Sequence, residues 1–382
     1  MIIPNVHNNW DRLKYVWLGD VWPKHFYDDL KPEIRDAFYQ ITEWTKEDLN
    51  NIQKKLEQLG VQVDRPYVDG PKEIYLDLTL NSIFRNEKSE LIKDLPKPPI
   101  TPRDANTLLG NNLVFGDLHN IIPYKTLLSK IDKRYLISAS EYRRLSGASL
   151  VKLGKDLVID FQLPNNISKE DTLKEIYQFS NSTVDKFSQY RWSIGTQGGH
   201  VDACFMPLRE GLLLASRYYK DYELLFPGWE TINLSAPTYA HHTKFNGFGH
   251  RWHIPGFNHP PHLNKFLEDY CSEWIGNYTE TFFEVNILVI DERNILCMGN
   301  HESLFEELDK RNITPHVVPF RTRSFWDGGL HCVTLDIIRD GELRDYYPDR
   351  NMDHGIYKVA SKEFNFDHDL FMKEYHEWTR NR

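Results

Sequence analysis

The sequence predicts an α/β protein built from a repeated unit of a β-hairpin, a helix and a further strand. Apolar, β-branched runs alternate with helical patterns along the 382 residues, and three copies of the unit are easy to recognise. The composition, 40% hydrophobic and 26% charged, is that of a folded protein. Because each unit has one sheet face and one helix stripe to bury, the units can pack around an axis as one radial domain over residues 1–382. An ordinary α/β chain whose units repeat by chance is the alternative.

The N-terminal part of the chain predicts one such unit. β-Branched and aromatic residues over 14–22 predict a strand. A capping-box pattern, Thr45 followed by Asp48, predicts a helix that starts there and ends at Gly60. Residues 61–63 predict the strand that follows.

Three clearer units come later in the chain, each with a hairpin that turns at charged or glycine-containing residues. The predicted hairpins span residues 150–161, 200–216 and 283–298. The helices that complete these units are predicted to begin at Ser168, near residue 263 and at Ser303. A last hairpin is predicted to turn at Asp340, with its second strand from Leu343.

Charge and composition exclude several classes of protein. The charge sum is 46 − 55 = −9, so nucleic acid is not the expected partner, because binding it requires basic surface. No apolar run of about 18 residues is present, and the first residues lack the pattern of a secretion signal, so we expect neither a membrane span nor export. The four cysteines stand far apart and favour free thiols in a reducing cytoplasm over disulfides or a zinc site.

The sharpest candidate for chemistry is Cys332, which follows two glycines in the sequence GGLHC. Glycines let the backbone approach a ligand closely, and backbone N–H groups in such a turn can lower the pKa of a thiol. The motif therefore predicts a nucleophile at the start of a strand. A small buried residue without chemistry is the more common fate of a free cysteine.

His200 and Asp202 form a second candidate. Two residues apart on a predicted strand, their side chains would face the same way. Such a histidine can act as acid and base, while the carboxylate binds a cation or orients the ring. A surface pair or a metal-binding pair is the alternative interpretation.

Two weaker signals complete the set. The sequence Thr101-Pro102-Arg103-Asp104 predicts a fixed turn that presents the Asp104 carboxylate, and a structural ion pair is its alternative. Six histidines crowd the loop over residues 241–262. Without HExxH or paired cysteines, the loop favours a polar segment near a site over a metal centre, and no cofactor is expected.

Together these motifs resemble the amidinotransferase family of guanidino-group-modifying enzymes. The resemblance begins at Asn9-Trp10-Asp11-Arg12-Leu13 and continues through Pro102-Arg103-Asp104, His200-Val201-Asp202, the segment 286–292 (NILVIDE) and GGLHC with Thr334 and Asp336. Each motif is weak alone, but five in the family's order are specific.

The resemblance implies the pentein fold, a five-bladed α/β propeller. It also implies roles: Cys332 as nucleophile, His200 as acid and base, Asp202 as an anchor for a guanidinium, and Asp104 as a further substrate carboxylate. These side chains are expected to converge at the propeller axis.

The sequence departs from the family at the substrate-binding positions. Ser149 stands where the family has a guanidinium-binding aspartate, and Tyr219 stands where it has an arginine for the donor carboxylate, with Arg217 nearby. A hydroxyl cannot replace one end of a charge-assisted pair, so donor binding should be weaker unless Asp104 or Glu280 compensates.

The resemblance implies transfer of an amidino group from a small guanidino donor, expected to be L-arginine, to an amine acceptor through an amidino-cysteine. Two alternatives stay open: hydrolysis of a guanidino group on the same fold, and a non-catalytic binding protein that keeps the scaffold. A homodimer is compatible with the resemblance.

Overall fold

The structure is a computed structural model, and it describes most of the chain. The described residues are 1–71, 74–75, 95–116, 121–139, 142, 145–161, 168–195, 200–203, 205–216, 225–234, 254, 256–258, 260, 262–271, 274, 284–299, 301–326, 328–350, 355–360, 373, 377 and 380. The prediction of one domain over residues 1–382 extends beyond these ranges and stays a prediction.

Short strands dominate the described chain. They are β1 (Leu13–Leu18), β2 (Gln62–Asp64), β3 (Asn106–Leu109), β4 (Asn112–Phe115), β5 (Leu136–Ser138), β6 (Leu150–Leu153), β7 (Asp156–Asp160), β8 (Arg191–Gly195), β9 (Phe205–Arg209), β10 (Leu212–Ser216), β11 (Glu230–Leu234), β12 (Leu288–Asp291), β13 (Asn294–Cys297), β14 (Thr314–Val317), β15 (Thr334–Arg339) and β16 (Ile356–Ala360). The α-helices are α1 (Pro32–Gln58), α2 (Pro102–Ala105), α3 (Ile121–Lys130), α4 (Lys169–Phe179), α5 (Leu263–Tyr270), α6 (Glu302–Asp309) and α7 (Arg323–Trp326). Shorter helical turns lie at Lys24–Tyr27, Lys133–Tyr135, Ser180–Val184 and Val201–Ala203.

Within the described residues the strands form five small sheets that share one plan. In each sheet an antiparallel pair is followed by a third strand parallel to the second. The sheets, which we call blades 1 to 5, have the strand orders β15-β1-β2, β3-β4-β5, β6-β7-β8 with β16 at the edge, β9-β10-β11 and β12-β13-β14. The predicted hairpin–helix–strand repeat is therefore confirmed in four of the five blades of a propeller, whereas blade 4 has no helix between β10 and β11 among the described residues.

The blades are joined in a ring through the first strand of each antiparallel pair, which we call the inner strand. The inner strands are β15, β3, β6, β9 and β12. β15 contacts β3, β6 contacts β9, and β9 contacts β12, which in turn contacts β1 of blade 1. Blades 2 and 3 share an apolar cluster that contains Leu109 and Leu150. The radial arrangement holds, and the alternative of an unrelated series of units does not.

Local signals explain the hairpins. Gly154 and Gly211 adopt φ of 63° and 80° at the turns of blades 3 and 4, a conformation that a side chain disfavours. Ser168 caps α4 by accepting a hydrogen bond from the backbone N–H of Asp171 at 3.0 Å, as predicted.

Blade 1 corrects the prediction of a last hairpin after Asp340. The antiparallel partner of β15 is β1, with Leu13 opposite Arg339 and Leu18 opposite Thr334. Residues 341–350 form no strand. The ring is therefore closed by pairing the first strand of the chain with β15.

One predicted helix start is wrong, and one predicted helix has a different place in its blade. Thr45 lies in the middle of the 27-residue α1 rather than at a helix start, and its hydroxyl donates to the carbonyl of Ile41 at 2.7 Å. The helix predicted near Leu263 is present as α5, but it follows β11 and so does not lie between the hairpin and the third strand of its blade. It packs against α1, where the rings of Phe38 and Phe266 meet at 5.9 Å.

Apolar packing lies between the sheets and their helices. The largest buried cluster joins β1 and α1 to α5 and the chain around Trp326, and three others lie between neighbouring blades. None of the helices within the described ranges has the length and apolar character that a membrane span needs.

Candidate active site

Each blade places one candidate polar residue in the turn that precedes its inner strand. Asp104 precedes β3, Ser149 precedes β6, Asp202 precedes β9, Asn286 precedes β12 and Cys332 precedes β15. Hydrogen bonds and charges link these turns to one another, so they meet at one end of the ring. The repeat of the fold thus gathers residues that are up to 228 positions apart (332 − 104).

The turn that carries Cys332 is held by the side chain of Asn286. The Asn286 Oδ1 atom accepts hydrogen bonds from the backbone N–H groups of His331 and Cys332, both at 3.1 Å. The Asn286 Nδ2 atom lies 3.0 Å from the Cys332 sulfur. Both residues are buried, since Cys332 exposes 1% of its surface and Asn286 exposes none.

Asp202 lies on the other side of the same sulfur. The Cys332 thiol donates to Asp202 Oδ2 at 3.7 Å, and His331 Nδ1 lies 2.7 Å from the same oxygen. The second oxygen, Oδ1, is buried without a hydrogen-bond partner. A fully buried carboxylate with an unused oxygen is an acceptor for a ligand donor.

The geometry of the His200 and Asp202 pair differs from the prediction. Val201–Ala203 forms a 3₁₀ turn, closed by a hydrogen bond from the backbone N–H of Ala203 to the carbonyl of His200 at 3.1 Å. The turn replaces the predicted strand, so the strand alternation that put both side chains on one face does not apply here. β9 begins only at Phe205.

The hydrogen bonds around His331 fix its tautomer. Asn9 Oδ1 accepts from the backbone N–H of Lys152 at 3.1 Å, so the Asn9 Nδ2 group is the one that faces His331 Nε2 at 3.3 Å. Nε2 is therefore an acceptor and Nδ1 carries the proton given to Asp202. Burial, with a smaller effect of Arg103, lowers the pKa of His331 to about 4, so the ring is neutral at pH 7.

A buried ionic cluster holds the backbone of the turn that carries His331 and Cys332. Arg103 donates to the carbonyl oxygens of His331 and Thr334 at 2.8 and 3.0 Å and pairs with Asp336 at 2.6 Å. Arg339 pairs with the other oxygen of Asp336 at 2.7 Å. Burial raises the pKa of Asp336, but the two guanidinium groups outweigh it and hold that pKa far below its usual range.

Lys152 is a further buried cation in this region, 2% exposed on β6. Burial, followed by the charge of Arg103, lowers its pKa to about 7, although Asp336 and Asp202 act in the opposite direction. No sequence motif predicted a role for this lysine.

Asp104 completes the site from blade 2. Its Oδ2 atom pairs with Lys97 at 3.3 Å, and Oδ1 is a buried atom without a hydrogen-bond partner. Burial raises the pKa of Asp104, but the charges of Lys97 and then His200 outweigh it, so the pKa is lowered. His200 and Asp104 are thus electrostatic neighbours, and Asp104 acts in turn on Cys332.

The thiol itself is more basic than the glycine-rich motif predicts. Burial raises the pKa of Cys332 well above its ordinary value, and the charges of Asp202 and Asp104 raise it further. Hydrogen bonds from the backbone of Gly329 and the side chain of Asn286 act in the opposite direction but do not compensate. Without a ligand, the sulfur is therefore a protonated thiol in a negative field.

The remaining predicted substrate residues are only partly described. Ser149 is 8% exposed, and the carbonyl of its neighbour Ala148 accepts from the backbone N–H of Asp202 at 3.3 Å, which places Ser149 beside the site. Arg217, Tyr219 and Glu280 lie outside the described residues.

The histidine-rich loop lies mostly outside the described part of the chain. Five of the six loop histidines lie outside the described residues. Among the side chains that are described, no three His, Cys, Asp or Glu residues gather as they would around a metal ion. Cys271, Cys297 and Cys332 are free thiols.

Sequence reasoning missed the contributions of Asn286, His331, Arg103 and Lys152. Three of them lie inside motifs that were recognised for other residues: NILVIDE, GGLHC and PRD. A usable signal was the position of Asn286 directly before a predicted inner strand, where the other blades carry Asp104, Ser149 and Asp202.

Comparisons with known proteins agree with this architecture. No protein-family model matches the chain. In sequence it is similar to the L-arginine:L-lysine amidinotransferase of Pseudomonas savastanoi pv. phaseolicola, with 28% identity over 149 residues, 38% of this chain and 32% of that protein. The chain thus spans about a third of the length of the curated relatives that it matches.

Two solved structures share the fold along most of the chain. SxtG, an amidinotransferase of the saxitoxin biosynthetic pathway from Microseira wollei, has a TM-score of 0.58 and 18% identity over 90% of this chain and 99% of that chain. The inosamine-phosphate amidinotransferase StrB1 from Streptomyces griseus has a TM-score of 0.55 and 20% identity over the same shares, 90% and 99%. The chain therefore has the pentein fold, a five-bladed α/β propeller, and its resemblance to amidinotransferases, predicted from the motifs, is confirmed.

Proposed function

We propose that this protein transfers an amidino group from a guanidino donor, L-arginine in the first instance, to an amine through a covalent amidino-cysteine at Cys332. The observation that carries the proposal is the position of the Cys332 thiol beside Asp202, within the field of Asp104, where each carboxylate keeps one oxygen without a partner. A planar cation with several N–H donors matches two such oxygens.

The charges of the site explain how a protonated thiol becomes a nucleophile. Both carboxylates raise the pKa of Cys332. A guanidinium bound between them cancels much of their field, so the pKa of the thiol falls when the substrate arrives. The site then forms the reactive thiolate beside a bound donor and keeps the thiol protonated otherwise, which limits oxidation.

The reaction then proceeds in two halves. The Cys332 sulfur forms a bond to the central guanidinium carbon, the bond from that carbon to the donor amine breaks, and the departing amine takes a proton through His200. In the second half the acceptor amine attacks the same carbon, His200 removes its proton, and the carbon–sulfur bond breaks to restore the enzyme. Asp202 and Asp104 hold the delocalised cation in both halves.

The proposal is tested by intact-mass spectrometry after incubation with L-arginine. We expect an adduct of one amidino group on Cys332 that disappears when a primary amine is added, with release of a new guanidine. Loss of ammonia to give an adduct that keeps the arginine side chain and is released as citrulline in buffer alone, or decay of the amidino adduct to urea in buffer alone, would instead support the hydrolase alternative.

Matched variants separate chemistry from folding. Cys332→Ala should lose the adduct and turnover, whereas Cys297→Ala, a change of another buried free thiol, should retain both. Failure of the wild-type protein to form any adduct with arginine or other guanidines would refute the proposal and favour a binding protein.

A further inference from the structure

Asn286 divides its two side-chain atoms between two tasks. Its Oδ1 atom accepts from two successive backbone N–H groups, those of His331 and Cys332. Only an oxygen can accept both, so the assignment of the amide is settled by its own contacts. The Nδ2 group consequently faces the Cys332 sulfur at 3.0 Å and the Asp202 carbonyl at 3.5 Å.

Apart from a backbone hydrogen bond of Gly329, the other named influences on the sulfur oppose a negative charge there. Asp202 lies 3.7 Å away, and burial and Asp104 also raise the pKa of the thiol. The backbone N–H of Cys332 itself is already bound to Asn286 Oδ1. The amide N–H of Asn286 is thus a buried side-chain donor placed on the reacting atom.

We propose that Asn286 is a catalytic residue that stabilises the Cys332 thiolate through its side-chain N–H, while its Oδ1 atom positions the turn. The catalytic part rests on the function proposed above, and the effect on the thiol does not. When the thiol loses its proton, the charge that develops on the sulfur meets a donor that is already oriented, so little reorganisation is needed. The same donor again stabilises the leaving thiolate when the carbon–sulfur bond of the adduct breaks.

The glycine at position 329 is explained by its close contact with the Asn286 side chain. A Cβ atom at position 329 would lie 2.4 Å from Asn286 Oδ1 and 2.8 Å from Asn286 Cβ. The φ angle of Gly329 lies outside the left-handed region, so backbone conformation does not require glycine there. Glycine is required there because the Asn286 side chain lies too close for any Cβ atom.

The experiment measures the alkylation rate of Cys332 with a small neutral reagent at fixed pH, site by site, by mass spectrometry. Asn286→Asp keeps an acceptor for both backbone N–H groups but removes the N–H donor from the sulfur. A hydrogen bond to a charged group corresponds to about one to two pKa units, so the rate should fall by about 10- to 100-fold. Formation of the arginine adduct should fall by about 10²- to 10³-fold, as for loss of one donor to a developing anion.

A second variant removes the ambiguity of an added carboxylate. Gly329→Ala displaces the amide without changing any charge and should also slow alkylation by about tenfold or more. Gly299→Ala is the matched control, because a Cβ there meets nothing within 4 Å, and it should alkylate at the wild-type rate.

The outcomes are distinct. Folded Asn286→Asp and Gly329→Ala proteins that alkylate at the wild-type rate would overturn the proposal, and Gly329→Ala decides alone if the first variant does not fold. Slower alkylation in a protein that forms no arginine adduct would support the role of Asn286 on the sulfur while refuting the proposed transfer.

Discussion

Replacing Asp202 by asparagine should change two reactions of Cys332 in opposite directions. The substitution is nearly isosteric, and an asparagine oxygen still accepts the proton of His331 Nδ1, whose hydrogen bond to Asp202 measures 2.7 Å. What the variant loses is one negative charge beside the sulfur. Reaction with a neutral reagent should therefore become faster, while reaction with a cationic guanidine should become slower.

The distance from the Cys332 sulfur to Asp202 Oδ2 sets the size of the effect. It is 3.7 Å, and unit charges about 4 Å apart interact by about 4 kcal/mol at an effective permittivity of about 20. That energy corresponds to a fall of about three units in the pKa of the thiol. Loss of the thiol's own hydrogen bond to the carboxylate acts in the same direction, and relaxation of the turn reduces the total.

The assay compares alkylation of Cys332 with its amidination by arginine at pH 7.5. In the Asp202→Asn variant we expect alkylation to be at least about tenfold faster and amidination at least about 100-fold slower, because the cation loses a charge-assisted contact. Asp48→Asn is the matched control: it neutralises another buried carboxylate, bound to Arg321, and should change neither rate. Slower alkylation of the Asp202→Asn variant would refute the electrostatic reasoning.

Three further predictions concern single residues around the site. The pKa of His331 is lowered to about 4, so between about pH 6.5 and 4 the unfolded chain binds a proton that the folded protein does not. The free energy of unfolding should therefore fall by at most about 3 kcal/mol as the pH drops through that window. Urea unfolding of His331→Gln should show a flatter pH dependence. The pKa of Lys152 is lowered from 10.5 to about 7, so the unfolded chain binds this proton more readily, and the free energy of unfolding falls as the pH drops from about 10.5 to 7. Lys152→Met removes this loss and should stabilise the fold more at pH 6 than at pH 10, by at most about 5 kcal/mol in thermal or urea unfolding. Ser149→Asp should tighten arginine binding about tenfold or more in calorimetric titration, since it adds a charge-assisted partner; no gain in a folded variant would mean that Ser149 does not face the donor.

The parts of the fold that the sequence predicted are those with local causes. Gly154 and Gly211 mark hairpins because a positive φ favours glycine, and Ser168 marks a helix start because its side chain caps the next turn. Thr45 misled the prediction because the same hydroxyl can cap a helix or bond back to the carbonyl four residues earlier. The packing of α1 against the rest of the protein selected the bond to the carbonyl over the cap.

In the candidate site, too, residues with a local sequence signal were predicted and properties set by distant residues were not. Cys332, His200, Asp202 and Asp104 were identified from motifs whose residue types match the chemistry. The pKa of Cys332 was not predictable, because it depends on burial and on carboxylates from two other blades. Asn286 acts across 46 positions of sequence, and no local pattern reports which turn its amide will meet.

The pairing of β1 with β15 has a consequence for synthesis of the protein. Leu13 pairs with Arg339, so β1 must wait during synthesis for a partner strand made more than 300 residues later. At about 5–20 residues per second that interval is tens of seconds. Throughout it, β1 has an unpaired edge, which is the kind of surface that chaperones cover. Because the Cys332 turn leads directly into β15, a nascent chain can bring Asn286 and Asp202 to the Cys332 sulfur only when the ring closes.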